Sequence, residues 1–450
     1  MSVRAVVLAA GKGTRMKSRT PKVFFELCGL PMIAHVLAAV REAGVEDVWV
    51  VAAPEARDRI AALGARAVVQ EPASGTGHAM QLAMEALPND GGAVLVVSAD
   101  MPTAPPQLLR EVIEKRAAAS SCLALVVARV PLPTNFGRVL RNDGRVKRIV
   151  ENADASPVER AIDEVNAGIY CFDATALRAQ LGALAPRNAQ RELYLTDCVG
   201  SIVASGGAVE TVEALDIADV MGINDRAELA KARAELQRRI LERHMLAGVT
   251  IVDPLSAYVD AEVRIGADTV IEPHTHLRGA TTIGRGCSIG PNTMLVDSSV
   301  GDGTRIIYSI VRDSAIGAAA SIGPFAHVRG NAAIEDGARI GNFVEVKKSR
   351  VGRGAKASHL SYLGDADIGE DANIGAGTIT CNFDGKTKNT TKIGKRASIG
   401  SNTSLIAPVE IGDDALTGAG SVVTRDVGAG ERVAGNPARP LAKKHKADRT

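Results

Sequence analysis

The hydrophobic residues of the chain follow two different patterns, which change near residue 250. In the first half, continuous apolar runs predict buried strands at residues 3–10, 48–53, 94–99 and 123–127. Segments with helical spacing separate these runs, as at residues 32–43 and 107–119. Alternating strands and helices predict a Rossmann-like α/β domain with a mostly parallel sheet.

Residues 225–247 have the spacing of one amphipathic helix. Asn224 or Asp225 can cap its start, and Gly248 can end it. Its predicted apolar face consists of Leu229, Ala232, Leu236 and Ile240. We therefore predict an α/β domain at 1–224, a helical linker at 225–248 and a second domain at 249–450.

From residue 259 onward, an aliphatic residue recurs every six positions. The period runs through 265–295, 316–346, 368–374 and 393–423, with a change of phase between these stretches. Such a repeat predicts a left-handed parallel β-helix of hexapeptide repeats, with one aliphatic column buried inside. Residues 347–367 and 376–392 do not fit the period, so we expect them to bulge out as loops that carry function.

Composition limits the classes of protein that remain. The formal net charge is +2 and aromatic residues make up 3%, which argues against a nucleic-acid-binding protein. No run approaches the roughly 20 apolar residues of a membrane span. Six scattered cysteines lack metal-ligand spacing and predict reduced thiols. Together these features predict a cytoplasmic protein that binds neither membrane nor nucleic acid.

A glycine-rich loop follows the first predicted strand. Gly11 and Gly13 allow backbone N–H groups to approach phosphate oxygens, and Lys12 and Arg15 add positive charge. Met16 stands where a dinucleotide fingerprint requires its third glycine, so that motif is excluded. The residues therefore indicate a phosphate-binding loop of another kind.

Asp100 ends the apolar run 94–99. A carboxylate at the carboxyl end of a buried strand lies at the usual ligand edge of an α/β sheet, where it can hold Mg²⁺ against phosphates.

Gly13-Thr-Arg-Met16 followed by Pro21-Lys22 resembles the nucleotidyltransferases that join a sugar 1-phosphate to a nucleoside triphosphate. The resemblance implies that Arg15 and Lys22 neutralise phosphate charge during catalysis. It also implies that Asn224 holds the metal together with Asp100.

Four further segments resemble one bacterial family, the bifunctional N-acetylglucosamine-1-phosphate uridylyltransferase/glucosamine-1-phosphate acetyltransferases: residues 70–79, 136–139, 149–151 and 165–170. The resemblance implies a set of residues for UTP and UDP-N-acetylglucosamine: Leu8, Ala9, Ala10, Gly11, Gly13, Lys22, Gln70, Gly75, Thr76, Gly137, Glu151, Asn166 and Asn224. Ser98-Ala99 departs from the family pattern, which usually has an aromatic residue and a glycine there.

In the second half, basic residues cluster just before the sequence 358–363: Arg329, Lys347, Lys348, Arg350, Arg353 and Lys356. A solvated charged face is one interpretation, and a phosphate site is the other. His359 can accept the proton that an amine loses when it attacks a thioester, because imidazole titrates in the right range. A purely structural histidine remains the alternative.

The family resemblance extends through residues 341–348, 359–364 and 373–383. It implies His359 as general base and a glucosamine 1-phosphate site at Arg329, Lys347, Tyr362 and Asn373. It implies acetyl-CoA contacts at Ala376, Asn382, Phe383, Ser401 and Ala419. The family's last CoA-contacting arginine is replaced by Asn436, and Arg439 is the substitute we predict. The basic tail at 443–446 is predicted to be disordered.

By this resemblance, the chain is a homotrimer that acetylates glucosamine 1-phosphate with acetyl-CoA and then transfers UMP from UTP to N-acetylglucosamine 1-phosphate, with Mg²⁺ as cofactor. Two alternatives stay open. One is a single-activity nucleotidyltransferase whose β-helix only regulates or oligomerises, and the other is a non-catalytic subunit of the same architecture.

Overall fold

The computed structural model describes residues 2–11 and 13–441, so Lys12 and the basic tail at 443–446 lie outside the described residues. The chain divides into two compact units, Met1–Leu236 and Gln237–Thr450, and the boundary falls within one long helix. We retain the predicted limits 1–224, 225–248 and 249–450 as a proposal.

The first unit is built on one twisted sheet in which β11, β7, β10, β6, β1, β4 and β5 follow one another. Neighbouring strands on this path are parallel except at β10, which runs antiparallel to β6 and β7. A hairpin of β8 and β9 pairs with β10, and β2 pairs with β3 in a separate small hairpin. The strands are β1 (Val3–Leu8), β2 (Glu26–Leu27), β3 (Leu30–Pro31), β4 (Val48–Ala52), β5 (Arg66–Val69), β6 (Ala93–Ser98), β7 (Leu123–Arg129), β8 (Arg138–Asn142), β9 (Arg145–Val150), β10 (Glu164–Asp173) and β11 (Val209–Ala214).

Helices cover both faces of this sheet. They are α1 (Met32–Glu42), α2 (Arg57–Ala62), α3 (Thr76–Ala86), α4 (Pro106–Ala119), α5 (Pro157–Arg160), α6 (Ala174–Leu181), α7 (Asp197–Ala204) and α8 (Arg226–Leu246), with short 3-10 turns at Thr14–Met16, Lys22–Phe24, Pro54–Ala56 and Ile217–Val220. Because side chains alternate along a strand, Val7 of β1 packs in the core with α1 and α4, and Val6 packs in the core with α3, α6 and α7. Burial on both faces explains why the strands read as continuous apolar runs.

Helix α8 begins at a capped residue. The Asp225 carboxylate accepts hydrogen bonds from the backbone N–H groups of Ala227 and Glu228 at 2.8 and 2.9 Å, so Asp225 rather than Asn224 is the cap. Gly248 lies just beyond the end of the helix with a φ of +92°. The four predicted apolar positions of the helix are all buried.

The second unit is a parallel β-helix whose described coils have three faces. Face 1 consists of Thr250–Ile251, Val270–Ile271, Ser288–Ile289, Arg305–Ile306, Ser321–Ile322, Arg339–Asn342, Lys356–His359, Asn373–Ile374, Ser398–Ile399, Leu416–Thr417 and Arg432–Ala434, with Arg439–Pro440 antiparallel at its end. Face 2 consists of Tyr258–Val259, His276–Arg278, Met294–Val296, Ile310–Arg312, His327–Arg329, Glu345–Lys347, Tyr362–Gly364, Ile379–Cys381, Ser404–Ile406 and Val422–Val423. Face 3 consists of Arg264–Ile265, Thr282–Ile283, Ser299–Val300, Ala315–Ile316, Ala333–Ile334, Arg350–Val351, Ala366–Ile368, Thr391–Ile393 and Val409–Ile411.

The predicted bulge at 347–367 is wrong. This segment stays in the β-helix: Val346 pairs with Leu363, and Val351 pairs with Ile368. The six-residue period fails there because one side of the coil is a residue shorter, so the inward residue after Val346 is Val351. A shorter side changes the phase of the pattern but leaves the chain on the same path.

The predicted bulge at 376–392 is only partly correct. Residues 376–381 remain in the coil, since Ile379–Cys381 is a strand of face 2. The excursion is the corner loop at residues 382–390, after which Thr391–Ile393 resumes face 3. Ile368 pairs with Ile393 across this loop, so the register is restored one coil later.

Candidate active sites

A cavity of about 430 Å³ opens at the carboxyl ends of β1 and β6. Its lining combines the glycine-rich loop, the start of α3 and the end of β6: Leu8, Ala9, Ala10, Gly11, Thr14, Lys22, Val23, Gln70, Ala73, Gly75, Thr76, Ala79, Ser98, Asp100 and Glu192. Nine of these residues were predicted to bind nucleotide or metal. The cavity lies where an open α/β sheet places its ligands.

The glycine-rich loop is packed closely against Lys22. Gly13 has a φ of +56°, and a Cβ atom there would lie 2.7 Å from the Cβ of Lys22. No side chain fits at this position, so glycine is required to bring the loop beside the lysine. Arg15 is exposed and, within the described residues, its guanidinium makes no hydrogen bond or ion pair.

Lys22, Asp100 and Asn224 converge although they come from distant parts of the sequence. The Lys22 ammonium lies 2.5 Å from Asp100 Oδ2 and 3.5 Å from Asn224 Oδ1. The Ile223 amide donates to the Asp100 carbonyl at 2.9 Å, which ties the two metal-candidate residues together through the backbone. The Asn224 backbone N–H donates in turn to the Glu228 carboxylate at 2.6 Å. A carboxylate and an amide oxygen directed at one cation are donors that suit a hard divalent metal.

A second side of the cavity is formed by Gln70, Gly75 and Thr76. Gln70 is buried, and its amide nitrogen donates to the Gly75 carbonyl at 3.1 Å. Gly75 has a φ of +100°, and a Cβ there would lie 2.5 Å from the Leu193 carbonyl oxygen. The Thr76 hydroxyl accepts from the Leu195 amide at 3.0 Å, so the loop around residue 193 closes this side.

Gly137, Glu151 and Asn166 form a separate group that does not line the cavity. The Asn166 amide donates to the Gly137 carbonyl at 2.9 Å, and a Cβ on Gly137 would lie 3.3 Å from Glu151 Oε2. The Thr196 hydroxyl donates to Glu151 at 3.0 Å. Burial raises the pKa of Glu151, and the hydrogen bond from Thr196 opposes that effect. Thr196 follows Leu195, so one loop links this group to the cavity.

In the β-helix, the two predicted phosphate-binding residues are neighbours on face 2. Arg329 pairs with Lys347 on the next coil, and the Arg329 guanidinium is held by Glu345 at 2.5 Å. Lys388, from the corner loop, lies beside Lys347, and the neighbouring ammonium lowers the pKa of Lys388. Two basic groups of face 2 and one of the corner loop therefore lie close together.

Tyr362 and Asn382 meet over Gly364. A Cβ atom on Gly364 would lie 2.5 Å from the Tyr362 hydroxyl and 2.8 Å from the Asn382 amide nitrogen. Asn382 donates to Asp365 at 2.5 Å. Glycine at 364 leaves the room in which these two polar groups approach each other.

His359 is exposed at the end of a face 1 strand, so the predicted irregular loop around it is wrong. His359 pairs with Asn342 of the preceding coil. Ala376, Ser401 and Ala419 continue the same corner on the following coils. A Cβ on Gly375 would lie 2.6 Å from the Ser401 amide nitrogen, and a Cβ on Gly400 would lie 2.6 Å from that of Ala419. We call His359, Ala376, Ser401 and Ala419 the corner column.

The other predicted β-helix residues lie beside this column or beyond it. Asn373 lies on face 1, paired with Lys356 and Ser398. Phe383 is 59% exposed at the start of the corner loop. Arg439 pairs with Ala434 at the end of face 1, past the last residue of the corner column.

Sequence reasoning missed two residues that the structure brings to these sites. Glu192 lines the cavity from an irregular loop that gives no periodic or motif signal. Lys388 lies within the off-period segment 376–392, and its charge together with that position could have identified it.

The fold, the cavity of the α/β unit and the corner column of the β-helix define a two-part transferase. One chain carries a nucleotidyltransferase domain and a hexapeptide transferase domain. Residues 5–190 match the MobA-like NTP transferase domain, and residues 262–296, 313–348 and 390–425 match the bacterial transferase hexapeptide. The chain belongs to the family of bifunctional GlmU proteins. It is 46% identical to the bifunctional protein GlmU of Trichlorobacter lovleyi over 94% of this chain and 93% of that protein.

Other relatives with the same name cover nearly the whole chain. The protein of Geobacillus thermodenitrificans is 45% identical over 99% of this chain and 97% of its own length. That of Mycolicibacterium gilvum is 46% identical over 97% and 90%. The chain is thus a bifunctional enzyme with uridylyltransferase and acetyltransferase activities that acts on small sugar phosphates and nucleotides, and its family implies a divalent metal.

Within residues 2–11 and 13–441, no helix is both long and apolar enough to cross a membrane.

Proposed function

We propose that the two groups of residues perform successive steps in making UDP-N-acetylglucosamine. The β-helix acetylates glucosamine 1-phosphate, and the α/β unit then joins the product to UMP from UTP. The Lys22–Asp100–Asn224 cluster and the corner column carrying His359 occur in one chain, and this co-occurrence supports the assignment of two activities most directly. A single-activity nucleotidyltransferase would not need the second set.

In acetyl transfer, the glucosamine nitrogen attacks the thioester carbonyl of acetyl-CoA. A nitrogen–carbon bond forms, the carbon–sulfur bond breaks, and His359 takes the proton that the nitrogen loses. Arg329 and Lys347 lie together on face 2, Lys388 of the corner loop lies beside Lys347, and the three groups are suited to a phosphate. Tyr362 and Asn373 would hold the sugar, and acetyl-CoA would follow the corner column with Asn382, Phe383 and Arg439.

In uridylyl transfer, an oxygen of the sugar phosphate attacks the α-phosphorus of UTP and pyrophosphate leaves. Such a reaction needs alignment and charge neutralisation more than a general base. The glycine-rich loop would receive the phosphates, with Arg15 and Lys22 supplying positive charge. Gln70, Gly75 and Thr76 would contact uracil, while Gly137, Glu151 and Asn166 would hold the N-acetylglucosamine.

The donor set of Asp100 and Asn224 suits Mg²⁺, since both provide hard oxygen ligands and already surround a positive group. When bound, the metal would neutralise charge on the phosphate oxygens.

Two further parts of the proposal concern the protein's state and location. An exposed row of aromatic side chains in contact, Tyr308, Phe325 and Phe343, follows one corner of the β-helix and continues to Leu360, next to His359. Such a surface suits contact with further copies of the chain, and we propose a homotrimer. Cys122, Cys171, Cys198, Cys287 and Cys381 are free thiols, which agrees with a cytoplasmic location.

A single mass-spectrometric assay tests the two reactions. The purified protein is given glucosamine 1-phosphate, acetyl-CoA, Mg²⁺ and equal amounts of UTP, ATP, GTP and dTTP. We expect UDP-N-acetylglucosamine as the main product. N-acetylglucosamine 1-phosphate alone would overturn the nucleotide-site assignment, and the absence of any acetylated product would overturn the assignment of the β-helix.

A further inference from the structure

The position of the Lys22 ammonium carries a consequence for metal binding. It lies 2.5 Å from Asp100 Oδ2 and 3.5 Å from Asn224 Oδ1, the two oxygens that the proposed function assigns to the metal. The side chains of Lys22 and Asp100 are only 12% and 20% exposed, so solvent screens this ion pair weakly.

The backbones of Asp100 and Asn224 are fixed independently of the lysine. The Ile223 backbone N–H donates to the Asp100 backbone carbonyl at 2.9 Å, and the Asn224 backbone N–H donates to the Glu228 carboxylate at 2.6 Å. The backbone positions that carry the two oxygens therefore do not depend on the ammonium.

Apart from its contacts with these two oxygens, the lysine is packed at its base. Its Cβ is packed under Gly13, whereas the ammonium is carried on a flexible four-carbon stem. The ammonium can thus leave the oxygens without disturbing the glycine-rich loop, and the cavity that Lys22 lines extends along that loop.

We propose that Lys22 is a positioning residue that serves as an internal counter-cation: it occupies the oxygens of Asp100 and Asn224 before metal binds, and metal binding displaces its ammonium toward the phosphates. A monovalent and a divalent cation repel each other at a shared pair of oxygens. The proposal rests on the proposed function, because it takes Asp100 and Asn224 as the metal ligands. It explains why a residue predicted to bind phosphate is found on the metal ligands instead.

The test is a titration of the whole protein with Mn²⁺ in the absence of nucleotide. Binding is measured from the electron paramagnetic resonance signal of the free ion. Lys22→Met removes the competing charge and keeps the length of the side chain, so we expect Mn²⁺ to bind about tenfold more tightly than to the unchanged protein. Lys22→Arg keeps the charge and should show no such gain. Lys22→Ala serves as a second neutral variant, and thermal unfolding checks that each variant folds.

Failures of the two ideas are distinguishable. If Asp100→Asn binds Mn²⁺ as well as the unchanged protein does, the metal assignment in the proposed function is wrong. If Asp100→Asn loses the ion but folded Lys22→Met and Lys22→Ala bind it no more tightly than the unchanged protein, the counter-cation role is overturned. A gain in Lys22→Arg equal to that in Lys22→Met would also overturn it, because the charge would then not be the cause.

Discussion

The two units assemble their candidate sites in opposite ways. In the α/β unit, Lys22, Asp100 and Asn224 come from three distant segments and meet beside a cavity, where they are already paired with one another. In the β-helix, each coil contributes one residue to the corner column, and His359 is exposed. The site of the α/β unit depends on loops that converge at the edge of a sheet. The site of the β-helix depends on coils that repeat in the same register.

This difference predicts how each site responds to change. A substitution in the α/β unit alters a network of paired groups, whereas a substitution on the β-helix alters one coil and leaves its neighbours in register. Because the residues of the two sites do not overlap, each activity can be removed while the other serves as an internal control.

The largest expected effect is on acetyl transfer. We expect His359→Ala to lower its kcat by about 10³-fold, the scale of a lost general base. The rate of uridylyl transfer to N-acetylglucosamine 1-phosphate should stay within about twofold of that of the unchanged protein, since no residue of the uridylyl site lies on the coil that carries His359. Separate assays of the two half-reactions measure both rates. Loss of both activities in a folded variant would refute the separation of the sites.

The second-largest expected effect is on uridylyl transfer. Asp100→Asn keeps the shape of the side chain but removes the charge, so uridylyl transfer should fall by about 100-fold. Acetyl transfer by the same preparation should be unchanged. Retention of full uridylyl transfer at limiting Mg²⁺ would show that the carboxylate is not used.

A smaller effect tests the contact over Gly364. An added Cβ would lie 2.5 Å from the Tyr362 hydroxyl, so Gly364→Ala should displace that side chain and raise the KM for glucosamine 1-phosphate about tenfold. Gly428→Ala is the matched control in the same unit, because its Cβ would make only an ordinary contact at 3.4 Å. Equal KM values for the two variants would mean that Tyr362 does not contact the sugar.

The smallest expected effect concerns stability and pH. Burial raises the pKa of Glu151 above its ordinary value of 4.5, so its protonated form is favoured in the folded state. The stabilisation from this group is complete below the ordinary pKa and is lost as pH rises through the raised one. Glu151→Gln removes the titration and keeps an acceptor for Thr196. We therefore expect the Tm of the variant to rise relative to the unchanged protein across that window, by a few degrees at most. A Tm difference that stays constant from pH 4 to pH 8 would contradict the burial argument.

Much of the fold could be predicted from the sequence, because the apolar runs and the six-residue period both follow from which side chains are buried. Strands such as β1 and β6 are buried on both faces and read as apolar runs, and the inward column of the β-helix reads as a period of six. The phase breaks were harder to interpret. A side shortened by one residue and an inserted loop break the period alike, so only the structure separates Val346–Val351 from the corner loop at 382–390.

The sites were predictable to the extent that a motif or a chemical requirement marked them. The glycine-rich loop, Asp100 and His359 carry such signals in the residues themselves, whereas the roles of Gly137, Asn166, Ser401 and Ala419 came only from family resemblance. Glu192 and the pairing of Lys22 with Asp100 depend on where irregular loops meet in space, which no local pattern encodes.

The corner loop shows that distances along the axis of the β-helix are set by the number of coils. Each coil advances the chain by one strand spacing, about 4.8 Å, so a position along the axis is fixed by counting coils rather than residues. Ile368 pairs with Ile393 and Ile374 with Ile399, which means that the inserted residues leave this count unchanged. The separation between His359 and Ser401 is therefore independent of the length of the segment that carries Phe383 and Lys388. The corner loop can therefore be lengthened, shortened or exchanged to alter substrate choice, and the spacing of the corner column stays the same.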